Sequence, residues 1–315
     1  MKVLFIGPVF YNYHDLIKNK IEALGAEVSF FPEKRDGILF SVLNTLNPSL
    51  IFFYQKYYYW LLWKRIKKNS YTHFFLIRGH KIPDFFLERL KENNPGIKLI
   101  MYQWDSQRNN TYFHIVKYFN KVYTFDYKDY KENNALDFLQ LFYTEDIGRL
   151  REGNMKIKYD FFCFSSFTRE RYESMLSLIS FCNKNNLRLK TFCYIPYSTY
   201  VKFRFLKGMS LDKRFLSFSS MPKKEYLEFL GESEVVVDFS HSTQTGLSMR
   251  IIEAYGAGKK IVTTNHSILN NPIYSPYWVQ LIDPKDIKQP IFQRKEEVSV
   301  QHNLYIDNWI KTLLK

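Results

Sequence analysis

A glycine, an arginine and a glutamate in the second half of the chain have the spacing of neighbours on a helix. Gly246, Arg250 and Glu253 are four and three residues apart, which would place them on one helical face. The apolar run 235–237 and the polar loop 240–246 precede them, as in a strand–loop–helix crossover. The free N–H groups of a helix start favour phosphate, and a glutamate roughly 10 Å further along the axis would reach a ribose. The spacing predicts a nucleoside diphosphate site, with an ordinary crossover helix as the alternative.

The same stretch carries a longer motif. Residues 244–253 read Gln-Thr-Gly-Leu-Ser-Met-Arg-Ile-Ile-Glu, and Gly-Lys-Lys at 258–260 and Thr-Thr-Asn at 263–265 follow. This motif resembles the donor-binding segment of GT-B glycosyltransferases, most closely the bacterial transferases of polysaccharide and lipopolysaccharide biosynthesis. The resemblance implies an α/β chain of two tandem Rossmann-like domains facing each other across a cleft, with a nucleotide-sugar between them. It is specific over residues 235–265 and looser elsewhere.

The resemblance extends the donor site beyond this helix. Related transferases place a basic residue on the donor phosphates where Arg169 opens a helix after the first strand of the second domain. An arginine in a first helical turn also has an ordinary structural explanation. The resulting donor-binding candidates are Gln244, Thr245, Gly246, Arg250, Glu253, Arg169 and Ser240. The hypothesis requires the Glu253 carboxylate to be open to a ligand.

Two residues in the first half are candidates for the base that removes a proton from an acceptor hydroxyl. Asp105 follows the predicted strand 98–102 beside Trp104, and related transferases show a similar tryptophan–aspartate step. A helix N-cap is the alternative for Asp105. His14 follows the first strand in a predicted loop, and histidine exchanges protons near neutral pH. A surface or helix-capping histidine is the alternative there.

The strand–helix rhythm stops and restarts once along the chain. The segment 145–158 is polar and lacks apolar periodicity, which predicts a linker. We therefore predict an N-terminal Rossmann-like domain on the acceptor side at 1–148 and a C-terminal donor domain at 149–297. In the GT-B fold a terminal helix often packs back on the first domain, and residues 298–315 have the amphipathic pattern for it.

The composition limits the cofactors. No Asp-x-Asp pair flanked by a strand is present, and no His, Asp or Glu spacing suits a metal ion. No Gly-x-Gly-x-x-Gly follows the first strand, which argues against a nicotinamide or flavin site. We therefore expect a metal-independent reaction, with the nucleotide-sugar as substrate and no further cofactor.

The charge limits the partners. A net charge of +14 favours an anionic partner, and we expect a phosphorylated or lipid-linked glycan acceptor. Basic residues are spread along the chain without a nucleic-acid motif, so nucleic acid is not expected. A nucleotide-sugar epimerase of the GT-B type and a basic, non-catalytic nucleic-acid-binding protein remain open alternatives.

One predicted helix combines aromatic and basic residues. Residues 50–63 are rich in Phe, Tyr and Trp, and a basic cluster at 64–68 follows. This pattern is typical of a helix on an anionic membrane surface, and packing on a sheet is the alternative. The chain has no secretory signal and no apolar run of about eighteen residues. We expect a cytoplasmic protein that is peripheral on the inner face of the cytoplasmic membrane through residues 50–68.

Overall fold

The computed structural model describes residues 1–10, 12–34, 50–153, 155–241, 243–290, 292 and 304–315. They form two compact units, Met1–Gln140 with Trp309–Lys315, and Leu141–Asn308. Among the described residues, the first unit holds a six-stranded sheet and the second a five-stranded sheet. The predicted class, two tandem Rossmann-like α/β domains, is confirmed.

The sheet of the first unit is parallel throughout, with the order β2-β1-β3-β4-β5-β6. Its apolar runs 3–6 and 74–77 are buried, as strands covered on both faces must be. The strands are β1 Lys2–Gly7, β2 Glu27–Pro32, β3 His73–Ile77, β4 Lys98–Gln103, β5 Lys121–Thr124 and β6 Asp137–Phe138. The helices are α1 Tyr13–Ala23, α2 Leu50–Ile66, α3 Asp84–Asn93 and α4 Tyr127–Glu132, with a 3₁₀ turn at Phe113–Tyr118.

The sheet of the second unit is also parallel, with the order β11-β10-β9-β7-β8. Its core includes the buried Cys163, Val237 and Val262. The strands are β7 Tyr159–Ser166, β8 Leu189–Tyr194, β9 Ser233–Asp238, β10 Lys260–Thr263 and β11 Val279–Leu281. The helices are α5 Glu145–Glu152, α6 Arg169–Lys184, α7 Tyr197–Val201, α8 Lys223–Gly231 and α9 Met249–Gly256.

The strand order reverses direction once in each sheet. The reversal lies between β1 and β3 in the first unit and between β7 and β9 in the second. Loops that leave the carboxyl ends of two such strands diverge, so parallel α/β sheets bind ligands at this point. The segments after β1, β3, β7 and β9 are therefore where the fold favours a site.

The segment 145–158 is not the linker that the sequence predicts, because it contains the helix α5. Acidic residues occupy its first turn and basic residues its last, which complements the helix dipole. Ile147 is buried, and Asp146 pairs with Lys223 of α8 at 2.5 Å. One fully buried apolar position in so short a helix leaves too little periodicity to detect. The predicted domain boundary after residue 148 falls inside α5.

The last helix, α10, spans Ile306–Leu313. Of the predicted helix 298–315, residues 298–303 lie outside the described residues. Trp309 is buried against Tyr102 and Phe75 of the first unit, with ring centroids 4.8 and 6.3 Å apart. Trp309–Lys315 accordingly cluster with the first unit.

Candidate functional site

The reversal point of the second sheet is built around a buried ion pair. Asp238, the last residue of β9, is fully buried, and its Oδ1 lies 2.8 Å from Nε and 2.7 Å from Nη2 of Arg250 on α9. Ser248 and Thr263 donate their hydroxyls to the same carboxylate at 2.9 and 3.3 Å, and Ser240 also donates to it. These partners explain how a charged group is held at this depth.

The pair keeps both groups ionised. Burial alone would raise the pKa of Asp238, but Arg250 and the hydroxyl donors outweigh it and lower that pKa. Burial alone would lower the pKa of Arg250, but Asp238 outweighs it and raises that pKa. The guanidinium predicted to face a diphosphate therefore already has a carboxylate partner.

The helix α9 starts later than the sequence spacing predicts. It begins at Met249, and Ser248 caps it by accepting the backbone N–H of Ile251. Gly246 therefore precedes the helix, and the prediction that it shares a helical face with Arg250 and Glu253 is wrong. Its carbonyl accepts the side-chain amides of Gln244 and Asn265, each at 3.0 Å, which ties the loop after β9 to the loop after β10.

The Glu253 carboxylate is not open in the way that the sequence-based hypothesis requires. Glu253 is 7% exposed, and its Oε2 accepts the hydroxyl of Tyr226 at 2.7 Å. Tyr226 lies on α8, an element that gave no signal of a site in the sequence. A ribose could reach this carboxylate only by replacing or sharing the tyrosine hydrogen bond.

A pocket of about 640 Å³ lies beyond the carboxyl ends of these strands, and we call it the β9 pocket. It contains the predicted Ser240, Gln244 and Thr245. The loop after β10 contributes 264–267, and α6 contributes its first turns. The other predicted donor-binding residues, Gly246, Arg169, Arg250 and Glu253, are not among the described residues that line it.

Arg171 is the arginine of α6 that the structure brings to the β9 pocket. Its Nε donates to the carbonyl of Phe239 at 2.9 Å, while the predicted Arg169 is 71% exposed and pairs with Glu173 at 2.8 Å. Burial and the nearby Arg250 charge lower the pKa of Arg171 to about 10, so it stays protonated at neutral pH. Thr168 caps α6 through the backbone N–H of Arg171. Thr168 therefore marks in the sequence where α6 starts. Of the two arginines that follow it, Arg169 faces solvent and Arg171 faces the pocket.

The electrostatics of the β9 pocket suit an anion. Asp238 offsets the charge of Arg250, and Arg171 adds a further, partly buried positive charge beside the pair. Lys285 and Glu170 also line the pocket, and their charges are opposite in sign. Guanidinium groups with fixed orientation bind phosphate oxygens well. In the described part of the chain, no group of three or more His, Cys, Asp or Glu side chains is arranged to hold a metal ion.

The two residues predicted as bases lie in different settings in the first unit. Asp105 follows β4 outside any helix, so the N-cap alternative is wrong, and its Oδ2 lies 3.5 Å from Nη1 of Arg78. Burial raises its pKa despite the opposing effect of Arg78. His14 lies inside α1 rather than in the predicted loop, with its ring 4.9 Å from that of Phe30. Its side chain is 12% exposed, which favours a packing role over a base.

The two parallel α/β units with their reversal points have the GT-B fold. No protein-family model matches the sequence, and no curated protein matches it. Solved structures match over most of the chain. An α-glucosyltransferase in complex with UDP and a 13-mer DNA is 14% identical, covers 91% of this chain and 87% of its own, and has a TM-score of 0.55.

Two further structures support the same fold. The lipopolysaccharide outer core galactosyltransferase WaaB is 12% identical, with coverages of 90% and 86% and a TM-score of 0.51. The UDP complex of MnaA from S. aureus is 12% identical, with coverages of 98% and 90% and a TM-score of 0.51. At these identities the likeness shows the fold, which is that of glycosyltransferases and of related UDP-binding proteins.

Proposed function

We propose that this protein is a metal-independent glycosyltransferase that moves a sugar from a nucleotide-sugar to a cell-surface glycan or glycolipid. The observation that carries the proposal is the β9 pocket at the reversal point of the sheet, which Arg171 lines and whose Ser240 is bonded to Asp238 of the buried Asp238–Arg250 pair. The pocket is large enough for a nucleotide-sugar. Two of the structures with this fold contain UDP, which makes UDP the first nucleotide to test.

The donor site that we propose assigns different roles to some residues than the sequence motif does. Arg171, Ser240, Gln244 and Thr245 bind the diphosphate, and charge-assisted hydrogen bonds offset the charge that grows on the leaving group. Arg250 acts through Asp238, because that pair fixes Ser240 and the start of α9. Glu253 binds the ribose by exchanging its hydrogen bond from Tyr226 for one from a ribose hydroxyl.

A nucleotide-binding assay tests the proposal. A ligand at about 100 times its Kd stabilises a folded protein by about 2.7 kcal/mol, so a thermal-shift panel of UDP, GDP, ADP and CMP identifies the nucleotide. A transferase releases UDP from the matching UDP-sugar only when acceptor is added, whereas an epimerase isomerises the sugar without acceptor. If no nucleotide raises the unfolding temperature, the donor-site proposal fails.

Arg171 and Arg169 form a matched pair of variants on one helix. We expect Arg171→Ala to weaken UDP binding about 10- to 100-fold, because one charge-assisted hydrogen bond contributes about 1.5–3 kcal/mol. Arg169→Ala should leave the affinity unchanged, since Arg169 is exposed and paired with Glu173. Isothermal titration calorimetry measures both. If Arg169→Ala loses more UDP affinity than Arg171→Ala, Arg169 is the phosphate-binding residue, as the sequence predicts.

A second pair of variants distinguishes the role of Glu253 from that of Tyr226. We expect Glu253→Ala to weaken UDP binding about tenfold or more, while Tyr226→Phe keeps or improves it, because the carboxylate loses a competing donor. UDP and its 2′-deoxyribose analogue provide a ribose-specific comparison in the same titration. Unchanged affinity in a folded Glu253→Ala protein would remove the ribose role and leave Glu253 as a packing residue of α9.

The helix α2 supports a proposed contact with an anionic membrane. Phe53 and Tyr57 are 66% and 58% exposed, and Lys64 Nζ lies 3.6 Å from the Trp60 ring centroid. Its opposite face is buried, so the sheet-packing alternative also holds for that face; its buried residues are Ile51, Gln55, Tyr59, Leu62 and Ile66. Within the described ranges no helix has the length and hydrophobicity to cross a bilayer.

Vesicle sedimentation tests the membrane contact. We expect binding to vesicles that contain phosphatidylglycerol, and weaker binding to phosphatidylcholine alone, because basic residues near an anionic surface contribute about 1 kcal/mol each. Replacing Phe53 and Tyr57 by Ser should weaken binding about tenfold or more. Tyr130→Ser, at another exposed aromatic of the first unit, is the control. Equal binding of both variants would place the contact elsewhere or exclude it.

Nucleic acid is a second candidate acceptor, although the sequence does not predict it. The α-glucosyltransferase structure contains DNA, and the net charge of +14 suits a polyanion. Transfer from a radiolabelled UDP-sugar to lipopolysaccharide and to duplex DNA in parallel separates the acceptors. Salt-sensitive DNA binding without nucleotide binding or transfer would instead support a non-catalytic nucleic-acid-binding protein.

A further inference from the structure

The loop after β3, at the reversal point of the first sheet, has an unusual backbone. Arg78, Gly79 and Lys81 have φ angles of 67°, 65° and 51°, in the left-handed region that non-glycine residues rarely adopt. For Arg78 and Lys81, which are not glycines, this conformation costs about 1–3 kcal/mol each and persists only where the surroundings enforce it. Here the carbonyl of Arg78 accepts the side-chain amides of Gln103 at 3.0 Å and Asn110 at 2.9 Å. The loop is therefore held in one conformation.

A fully buried carboxylate fixes the same loop from β2. Glu33, just after that strand, forms an ion pair with the Arg78 guanidinium, and its Oε2 accepts the backbone N–H of His80 at 3.0 Å. The Gln55 side chain donates to the carbonyls of Glu33 and His80 at 3.2 and 3.0 Å. An isolated buried carboxylate would be costly, so Arg78 and the loop compensate it.

Arg78 lies between two carboxylates with different burial. Glu33 has no exposed side-chain surface, whereas the Asp105 side chain is 38% exposed and its Oδ2 lies 3.5 Å from Nη1 of Arg78. The Coulomb attraction is stronger in the interior than near solvent, so Glu33 offsets most of the guanidinium charge. At Asp105, burial raises the pKa by more than Arg78 lowers it.

Resting on the proposed function, we propose that Glu33 and Arg78 are positioning residues for a base, Asp105. Glu33 offsets the charge of Arg78, so that Arg78 orients the Asp105 carboxylate without removing its ability to accept a proton. In the transfer step Asp105 takes the proton of the acceptor hydroxyl while the hydroxyl oxygen bonds to the anomeric carbon. The bond from that carbon to the diphosphate oxygen breaks, and its electron pair leaves with the nucleotide.

The other charged groups around this cluster do not replace Glu33. Burial and nearby positive charges lower the pKa of His80 to about 4, so it is neutral at working pH. Lys34 and Lys81 face His80 from the two loops. Beyond Asp105, the backbone N–H of Gln107 donates to Asp129 at 2.6 Å, which places one further carboxylate on that side. All of these groups stay unchanged in the variants below.

The experiment measures the titration of Asp105 by carbon-13 NMR of the side-chain carboxyl, assigned with Asp105→Asn. In Glu33→Gln the Arg78 charge is no longer offset, and we expect the pKa of Asp105 to fall by about 1 or more. The acidic limb of the kcat/KM profile should move to lower pH by the same amount, and Glu33→Asp should restore both. Glu27→Gln, an exposed glutamate at the start of β2 paired with Lys2 at 3.2 Å, is the control.

An unchanged pKa of Asp105 in a folded Glu33→Gln protein overturns the proposal, whether or not the protein transfers sugar. If that variant does not fold, Arg78→Lys is measured instead. A lysine bonded to Glu33 cannot also reach Asp105, so the pKa of Asp105 should then rise, and an unchanged value again overturns the proposal. Absence of transfer by the unmodified protein would count against the proposed function, while the NMR titration would still decide the coupling.

Discussion

Replacing Asp238 by Asn is expected to lower the free energy of unfolding by about 3–5 kcal/mol. The substitution leaves Arg250 buried without its carboxylate, beside the positive charge of Arg171. It also turns an acceptor of several hydroxyls into an amide that can accept on one side only. Urea unfolding followed by circular dichroism measures the change. Ser248, the N-cap of α9, would lose the carboxylate that accepts its hydroxyl, which should loosen the start of α9 and weaken UDP binding as well.

Asp286→Asn is the matched control, because that carboxylate is 66% exposed and its pair with Lys288 at 2.9 Å is a surface pair. Its substitution should change the stability by about 1 kcal/mol or less. The pH dependence gives a second check. Since folding lowers the pKa of Asp238, its contribution is present above the unfolded value of about 3.9 and is lost as the pH falls below it. The Asn variant should lack this part of the acid destabilisation, and equal stability of both variants would show that the pair does not hold the site together.

Replacing Asp105 by Asn is expected to lower kcat by about 10²- to 10⁴-fold, the usual contribution of a general base. Donor affinity should stay the same, because the carboxylate lies in the first unit and the β9 pocket in the second. Asn keeps the size and one hydrogen-bond acceptor for Arg78 but cannot take a proton. Initial rates with saturating donor and acceptor, together with a UDP titration, separate the two effects.

Asp137→Asn serves as the control for Asp105, since it removes an exposed carboxylate from the same unit. Full transfer activity in a folded Asp105→Asn protein would exclude a base at this position and leave Asp105 as a partner of Arg78. His14 would not then take its place without a change in structure, because its side chain is only 12% exposed and its ring packs on that of Phe30.

The sequence motif predicts some, but not all, of the residues that line the β9 pocket. The loop residues Ser240, Gln244 and Thr245 follow directly from the motif, and the structure brings them to one pocket. The sequence points to Arg169, because it opens the helix after the first strand of the second domain, whereas the structure brings Arg171 to the pocket. Two positions along an α-helix rotate a side chain by about 200°, so the residue that faces the pocket depends on where the helix starts and how it packs. Thr168 marks where the helix starts, but its packing depends on contacts with other elements.

The two charged residues of the motif, Arg250 and Glu253, are paired with protein groups inside the second unit. The spacing of Arg250 and Glu253 on α9 is correct, but the residues that pair with them come from other elements: Asp238 from β9 and Tyr226 from α8. Whether a charged side chain faces a ligand or a protein partner depends on these contacts across the unit. The linker prediction for 145–158 is wrong for a related reason. The helix in that segment is stabilised by packing and an ion pair rather than by its own apolar pattern.

The sequence by itself determined the fold class, because buried strands alternate with crossover helices and that pattern is local. It also marked the loop after β9 as the place for an anion. Only the tertiary structure decided which side chains meet at the reversal points. Glu33, Arg78 and Asp105 follow three different strands and are tens of residues apart in the chain. They come together because parallel strands end at the same edge of a sheet, and the order of strands in that sheet is a non-local property that no short stretch of sequence encodes.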